Sequence, residues 1–269
     1  MTDVQREKVE QLVAKVRTSA CGFYRAHWGK AERFEDLPLM DVERFIATPF
    51  GERTYKVEKG LVKIVRAYRA PFLVHWSLED LKAEQFGDST GKRPLVLLSD
   101  SHEALEKSLW FYEHDILPLI GEPNNPPVVS YAANKYDIDA LVTDDKAVPP
   151  FLSEHEKQNN MKAVAVVLIG SSFEPALLRR LESSSKNVTP VLSLPETGTF
   201  GMACPKNRGA KERHFHPSDN SVLEIKDGEL IVTKLVYLRT PVIRYRTGIR
   251  AEQFASGSDC GESPFRLVS

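Results

Sequence analysis

Apolar positions Val4, Val9, Leu12, Val13 and Val16 recur at helical spacing, so an amphipathic helix is predicted over residues 4 to 18. An aromatic stretch, Phe23 to Trp28, continues as a short helix. Two β-rich runs follow at Leu61–Val65 and Pro71–His75. Ser77-Leu-Glu-Asp80 reads as a capping box opening a helix that ends near Phe86-Gly87. Beyond a polar loop, Leu95–Leu98 reads as a buried strand. Asp100 and Glu103 then cap a helix expected to bury Leu105, Leu109, Tyr112 and Ile116 on one face.

Past a break at Gly121–Pro127 the pattern predicts a strand at Val128–Tyr131, a helix near Tyr136–Val142 and a strand at Ala163–Ile169. A helix at Glu174–Leu181 and a strand at Val188–Leu194 follow. Strands alternating with helices imply an α/β fold, with a mainly parallel sheet flanked by helices. After Ser221 the pattern becomes antiparallel: Val222–Ile225 and Glu229–Thr233 flank Asp227-Gly228, a hairpin signal. The expected organisation is one shortened domain over 1–269, with possible sub-domains 1–120 and 127–250 and a loosely held tail at 255–269.

Composition narrows the function classes. The 36 basic and 37 acidic side chains give a net charge of -1, which argues against nucleic acid as a partner. No apolar run reaches membrane-spanning length, so no membrane partner is expected. The polar start, Met1-Thr-Asp-Val, is not a secretory signal. Three cysteines (Cys21, Cys204 and Cys260) make no disulfide framework, and a cytoplasmic setting follows as the simpler reading.

Candidate chemistry sits in four places. Ser89-Thr90-Gly91-Lys92 puts two hydroxyls, a glycine and an ammonium on one loop, a composition suited to phosphate oxygens. It lacks Walker spacing, and the structural reading is a solvated turn. Glu196 follows a predicted strand, where a carboxylate is placed to hold Mg²⁺. The runs Val191–Gly198, Asp227–Thr233 and Pro241-Val-Ile-Arg-Tyr-Arg-Thr-Gly248 close the chain's last quarter.

Taken together, these segments resemble the phenylacetate–coenzyme A ligase branch of the acyl-adenylate-forming, AMP-binding enzymes. The resemblance covers most of the chain and is strongest over residues 186 to 250. It implies ATP-dependent activation of a small carboxylic acid to an acyl-adenylate, with coenzyme A as a possible acceptor. On that pattern Lys92 and Glu196 are catalytic, with Glu196 on Mg²⁺. Ser89, Thr90, Gly91, Gly170, Ser171, Ser172, Leu192, Gly248 and Ile249 fall at nucleotide-binding positions. The sheet should then bring the loop at Ser89–Lys92, Gly170–Ser172 and Glu196 to one crevice.

Three positions depart from the family pattern. Asp88 replaces the glycine that leads the phosphate loop, Leu192 replaces a tyrosine that packs on adenine, and Ile249 replaces the aspartate that holds both ribose hydroxyls. An isoleucine side chain accepts no hydrogen bond. Arg244 and Arg246 are expected in structural ion pairs. Members of the family carry a small C-terminal domain after this run, whereas this sequence stops at Ser269. A separate C-terminal domain or a homo-oligomer is therefore a possible partner, and an uncovered apolar patch is expected near Thr240–Ile249. Cys204, His214 and His216 form an alternative zinc set, but their spacing matches no closed zinc motif. The second functional reading is a non-catalytic relative that binds a nucleotide or acyl ligand, or another protein.

Overall fold

The computed structural model describes residues 1–19, 21–55, 61–66, 71–84, 91–157, 161–207, 213–236, 239–254 and 264–268. Ser89, Thr90, Asp88, Phe86, Gly87 and Cys260 lie outside the described residues, and the helix expected to end near Phe86-Gly87 already stops at Lys82. In chain order the helices are α1 (Asp3–Thr18), α2 (Gly22–Trp28), α3 (Val42–Ala47), α4 (Phe50–Arg53) and α5 (Leu78–Lys82). There follow α6 (Ser101–Glu113), α7 (Pro126–Lys135), α8 (Val148–His155) and α9 (Pro175–Ser184). The strands are β1 (Leu61–Arg66), β2 (Pro71–Trp76), β3 (Pro94–Leu97), β4 (Leu119–Ile120), β5 (Ala140–Asp144), β6 (Ala165–Gly170) and β7 (Asn187–Leu194). Then come β8 (Gly198–Ala203), β9 (Phe215–Pro217), β10 (Ser221–Lys226), β11 (Glu229–Lys234), β12 (Tyr245–Gln253) and β13 (Phe265–Leu267).

The chain divides into two compact units. The first comprises Met1–Glu84, Leu194–Gly201 and His214–Ser269, and the second Gln85–Ser193 and Met202–Arg213. The break at Gly121–Pro127 is not the boundary between them. It lies inside the second unit, where it joins β4 to α7.

The second unit is built on a parallel sheet in the order β4-β3-β5-β6-β7. Alternate residues of its strands point to opposite faces. Leu95, Leu97, Leu141, Val166 and Leu168 pack with α7, α8 and α9. Val96, Leu98, Val142, Val167 and Ile169 pack with Trp110 and Phe111 of α6. Burial on both faces explains why these strands read as unbroken apolar runs.

Two expected elements are exchanged here. Val128–Tyr131 lies in helix α7, and Ala140–Asp144 is a strand rather than the end of a helix. Pro126 and Pro127 open α7, where a missing N–H costs nothing. Only Val129, Ser130 and Ala133 of that helix are buried, while Val128 and Tyr131 are exposed, so one stripe at helical period faces the sheet. The face of α6 also differs: Ala104, Trp110 and Phe111 are buried, while Leu105 and Tyr112 are exposed.

In the first unit, α1 buries Val9, Leu12, Val13 and Val16 as its spacing predicts, while Val4, the first position of the expected stripe, is exposed. The capping box at Ser77 is formed, with Ser77 N and Oγ donating to Asp80 Oδ2 at 2.7 and 2.8 Å. β1 and β2 form a separate hairpin. The antiparallel order is β10-β11-β12-β13-β9. Asp227 and Gly228 adopt φ 55° and 72°, closing the β10–β11 hairpin with a left-handed pair. Phe265 is buried and β13 pairs with β12, so this part of the expected loose tail is held in a sheet; residues 255–263 lie outside the described set. The expected apolar patch near Thr240–Ile249 is absent, because Thr240, Val242, Ile243 and Tyr245 are buried. No helix among the described residues is long and apolar enough to cross a membrane.

Candidate functional site

Glu196 lies two residues beyond the end of β7 and is buried at 1% exposure. The Tyr245 hydroxyl donates to Glu196 Oε1 at 2.6 Å. Tyr245 opens β12 and is equally buried. The pairing joins two sequence segments 49 residues apart, both of which carry the resemblance to the ligase family. Tyr245 itself escaped the sequence reading, although its place between Arg244 and Arg246 in that run was the available signal.

The turn after Glu196 is clamped from two sides. Gly198 takes φ 62°, and Thr199 N donates to both oxygens of Glu84 at 3.2 Å. Lys234 Nζ donates to the Thr199 carbonyl and lies 3.9 Å from Glu84 Oε1. Glu84 and Lys234 are nearly inaccessible, so each charge depends on the other. Neither residue stands out in sequence, because a buried ion pair has no local pattern.

The run Pro241–Gly248 is structural over most of its length. Arg244 grips Glu224 with Nε at 3.0 Å and Nη2 at 2.8 Å, and its Nη1 donates to the carbonyls of Glu35 and Leu37. Arg246 pairs with Glu229 at 2.6 Å, which holds its guanidinium above the ordinary range through that hydrogen bond. Glu229 Oε1 also accepts from Gly248 N at 2.8 Å. The N–H of Gly248 is thus engaged, and Ile249 is half-buried beside it. Both arginines make the ion pairs expected of them.

In the second unit, the candidate residues divide between the two ends of the parallel sheet. Gly170 ends β6 and pairs in register with Leu192 of β7. Ser171 and Ser172 follow it and are exposed, so their hydroxyls are open to a ligand. Leu192 is fully buried and offers no face to a base; its side chain belongs to the core. Gly91 and Lys92 instead precede β3. Because β3, β5 and β6 run parallel, Lys92 and Ser172 stand at opposite ends of the strands. The expectation that Gly170–Ser172 and Lys92 line one crevice is not met.

The loop at Gly91 has an internal anion of its own. Asp139 accepts from Lys92 N at 3.0 and 3.1 Å and from Arg93 N at 2.8 Å. Gly91 adopts φ 65°, and a Cβ there would sit 2.3 Å from Asp139 Oδ1. A carboxylate therefore fills the backbone donors of this part of the loop, while the Lys92 side chain remains exposed. At the opposite end, Asp144 is also saturated. It accepts from Ser99 N and Oγ at 2.6 and 2.7 Å, and from Lys146 N and Ala147 N at 2.9 and 2.8 Å. That carboxylate ties β3 to β5 and leads into α8. Its four donors leave it no role as a metal ligand.

The alternative zinc residues are placed as follows. His214 and His216 stand with rings 5.2 Å apart at 84°, and His214 stacks on Phe254. Burial, with His216 adding a smaller effect, lowers the pKa of His214. Cys204 is buried in the second unit and forms no disulfide.

No protein-family model matches the chain, and no curated protein matches it in sequence. Solved structures do match. The open form of 2-hydroxyisobutyryl-CoA ligase, in complex with 2-HIB-AMP and CoA, superposes with a TM-score of 0.78 at 13% identity, covering 98% of this chain and 72% of that one. The postadenylation form of the same ligase has 65% of its chain covered, at a TM-score of 0.75. O-succinylbenzoate coenzyme A synthetase from Bacillus subtilis matches with a TM-score of 0.56 at 11% identity, over 76% of this chain and 48% of that one. The amide bond synthetase from Marinactinospora thermotolerans gives 0.57 at 14% identity, over 77% of this chain and 48% of that one. At these identities the likeness is one of architecture: the chain has the mixed α/β fold of these ligase and synthetase structures.

Proposed function

We propose that this chain is an AMP-binding acid ligase of the coenzyme A ligase type, on the phenylacetate–coenzyme A ligase branch. It would activate a small carboxylic acid as an acyl-adenylate. The observation that carries the reading is the Tyr245–Glu196 hydrogen bond, which joins two motif segments within a fold shared with ligases. Bound ATP would supply the AMP joined to the acid, with pyrophosphate leaving. Glu196 has the donor chemistry to hold Mg²⁺. Ser171 and Ser172 would donate hydroxyls to the nucleotide. The fit to the ribose is poorer, since Ile249 accepts no hydrogen bond. The chain spans 65–72% of the length of the 2-hydroxyisobutyryl-CoA ligase chains, so a complete reaction would draw on a further segment or partner.

A second reading, a non-catalytic nucleotide or acyl-ligand binder, is favoured by two observations. Ile249 stands at the ribose position, and Asp139 fills the donors of the loop at Gly91. Titration of the chain with ATP·Mg, followed by calorimetry, tests the nucleotide assignment. Weak binding is expected, weaker still in Glu196→Gln, and unchanged in Lys92→Ala, since Lys92 stands at the opposite end of the strands from Ser171 and Ser172. Ile249→Asp should tighten it by about 1–3 kcal/mol by restoring a bidentate acceptor. Absence of any ATP heat in both the parent and Ile249→Asp would reject nucleotide binding. Carboxylate-dependent pyrophosphate exchange separates the two readings: exchange supports the ligase, and binding without exchange supports the binder.

A further inference from the structure

Among the described residues the parallel sheet of the second unit ends at β4, so one side of that strand is free. Val96 pairs in register with Ile120, and Gly121 N donates to the Val96 carbonyl at 2.9 Å. Peptide groups alternate in direction along a strand, so the N–H and C=O of Ile120 point away from β3, to the open edge. Side chains give this edge an apolar border. Leu117 is 84% exposed and Ile120 56%. On α6, Trp110 packs with Val142, Val167 and Ile169, which turns that flank of the helix inward. Leu105 and Tyr112, seven residues apart on the opposite flank, face the β4 side and are exposed. On α7, Ser130 meets His155 of α8, so the exposed Val128 on the far flank also faces the edge.

These five side chains expose on the order of 600 Å² of mostly apolar surface, a patch size that marks an interaction site. Two such faces together reach about 1,200 Å², the lower end of stable protein interfaces. The backbone is self-complementary about Ile120. Turned about a two-fold axis, two β4 strands run antiparallel, and Ile120 of each copy gives its N–H to the other's carbonyl. In that register Pro118 faces Glu122 of the second copy. Pro118 has no N–H to give, and the Glu122 carbonyl needs none, since Asn125 N already donates to it at 3.0 Å. The Glu122 N–H is left to meet the Pro118 carbonyl. Glu122 thus stands across from a proline and not from its own copy, so no like charges are opposed there. Sliding one strand by two residues puts Pro118 opposite Ile120, whose carbonyl then lacks a donor. The proline therefore favours the register centred on Ile120.

We infer that the β4 edge is the interface of a two-fold homodimer, in which two parallel sheets join through Ile120. The assignment does not depend on the ligase reading and uses none of the residues assigned to ATP. Sedimentation velocity of the whole chain tests it, at concentrations up to about 100 µM. A dimer that dissociates on dilution is expected. Leu117→Glu puts a charge into the apolar border at an exposed position. It should leave only monomer at concentrations where the parent is dimeric, with the circular dichroism of the parent. Ile120→Pro removes the outward N–H while leaving the bonds to β3 in place, and should also be monomeric. Ile120→Cys should form a disulfide-linked dimer under mild oxidation, because the Cα atoms of such a pair lie about 5.5 Å apart. Tyr131→Cys, at a more exposed position on the side of α7 away from the sheet, should not. If Ile120→Pro fails to fold, Leu117→Glu and the two cysteine variants decide the matter. A monomeric parent at the highest concentration, a dimer that persists in Leu117→Glu or in folded Ile120→Pro, or equal cross-linking of the two cysteine variants each overturns the assignment. Failure of ATP to bind at all bears only on the ligase reading.

Discussion

Asp139 shows how one side chain can redirect a motif. Three contacts between 2.8 and 3.1 Å tie its carboxylate to the N–H groups of Lys92 and Arg93. A phosphate oxygen approaching the same donors meets both competition and like charge. Asp139→Ala should therefore tighten binding of inorganic pyrophosphate, read by calorimetry. The same change should cost only about 1 kcal/mol of stability, because water replaces the carboxylate on exposed donors. Unchanged pyrophosphate affinity would mean that the loop is a plain turn. This contact was invisible in sequence. Asp139 lies 47 residues from Lys92, and nothing local marks it as their acceptor. Glu196 was legible because it ends an apolar strand within a recognisable run. Its partner Tyr245 was not, since a tyrosine between two arginines reads equally well as core.

At the scale of elements, signals local to the chain transferred well. The α1 stripe, the Ser77 capping box, the Asp100 cap and the Asp227-Gly228 hairpin all stand where sequence put them. The exchange of helix and strand between residues 126 and 144 has a different cause. Val128 and Val129 favour a strand by propensity, but a helix burying Val129 and Ala133 against Leu95 and Leu97 satisfies the sheet face better. Tertiary packing overrode local preference there, as it did for the buried face of α6. Arg244 clamps the antiparallel strands of the first unit to the segment before α3. It holds β10 through Glu224 and the segment before α3 through two carbonyls. Arg244→Lys keeps the charge but loses the fork. It should lower stability by about 2–3 kcal/mol, because Arg244 is buried while Glu224 is partly exposed and solvent softens its loss. Denaturant unfolding checks this, and a loss below about 0.5 kcal/mol would show that water substitutes for the clamp.

For the molecule as a whole, acid sensitivity follows from histidines that are buried in the neutral form. His155, in the second unit, is 4% exposed, stacks on Phe151, and lies 3.0 Å from Ser130 Oγ through Nδ1. Burial lowers its pKa below the ordinary value of 6.5, more than Glu156 and Ser130 raise it. In the first unit, burial likewise lowers His75, with Arg239 adding to the effect and Asp80 opposing it, and His214 shifts the same way. Between each folded pKa and 6.5 the unfolded chain binds more protons than the folded one, so stability rises with pH across that window. The contribution is complete above the unfolded value and is lost as pH falls towards the folded one. Carboxylates protonate well below that range, which separates the two effects. Thermal melts should therefore fall as pH drops below about 6.5, before the carboxylate region is reached. His155→Gln should flatten that slope while lowering stability at neutral pH, because the ring loses its stacking on Phe151. The sequence could count seven histidines, but burial alone decides which of them act as acid triggers. A parent chain whose melting temperature stays level through this window, or a His155→Gln variant with the parent's slope, would show that these rings take up protons without leaving their places.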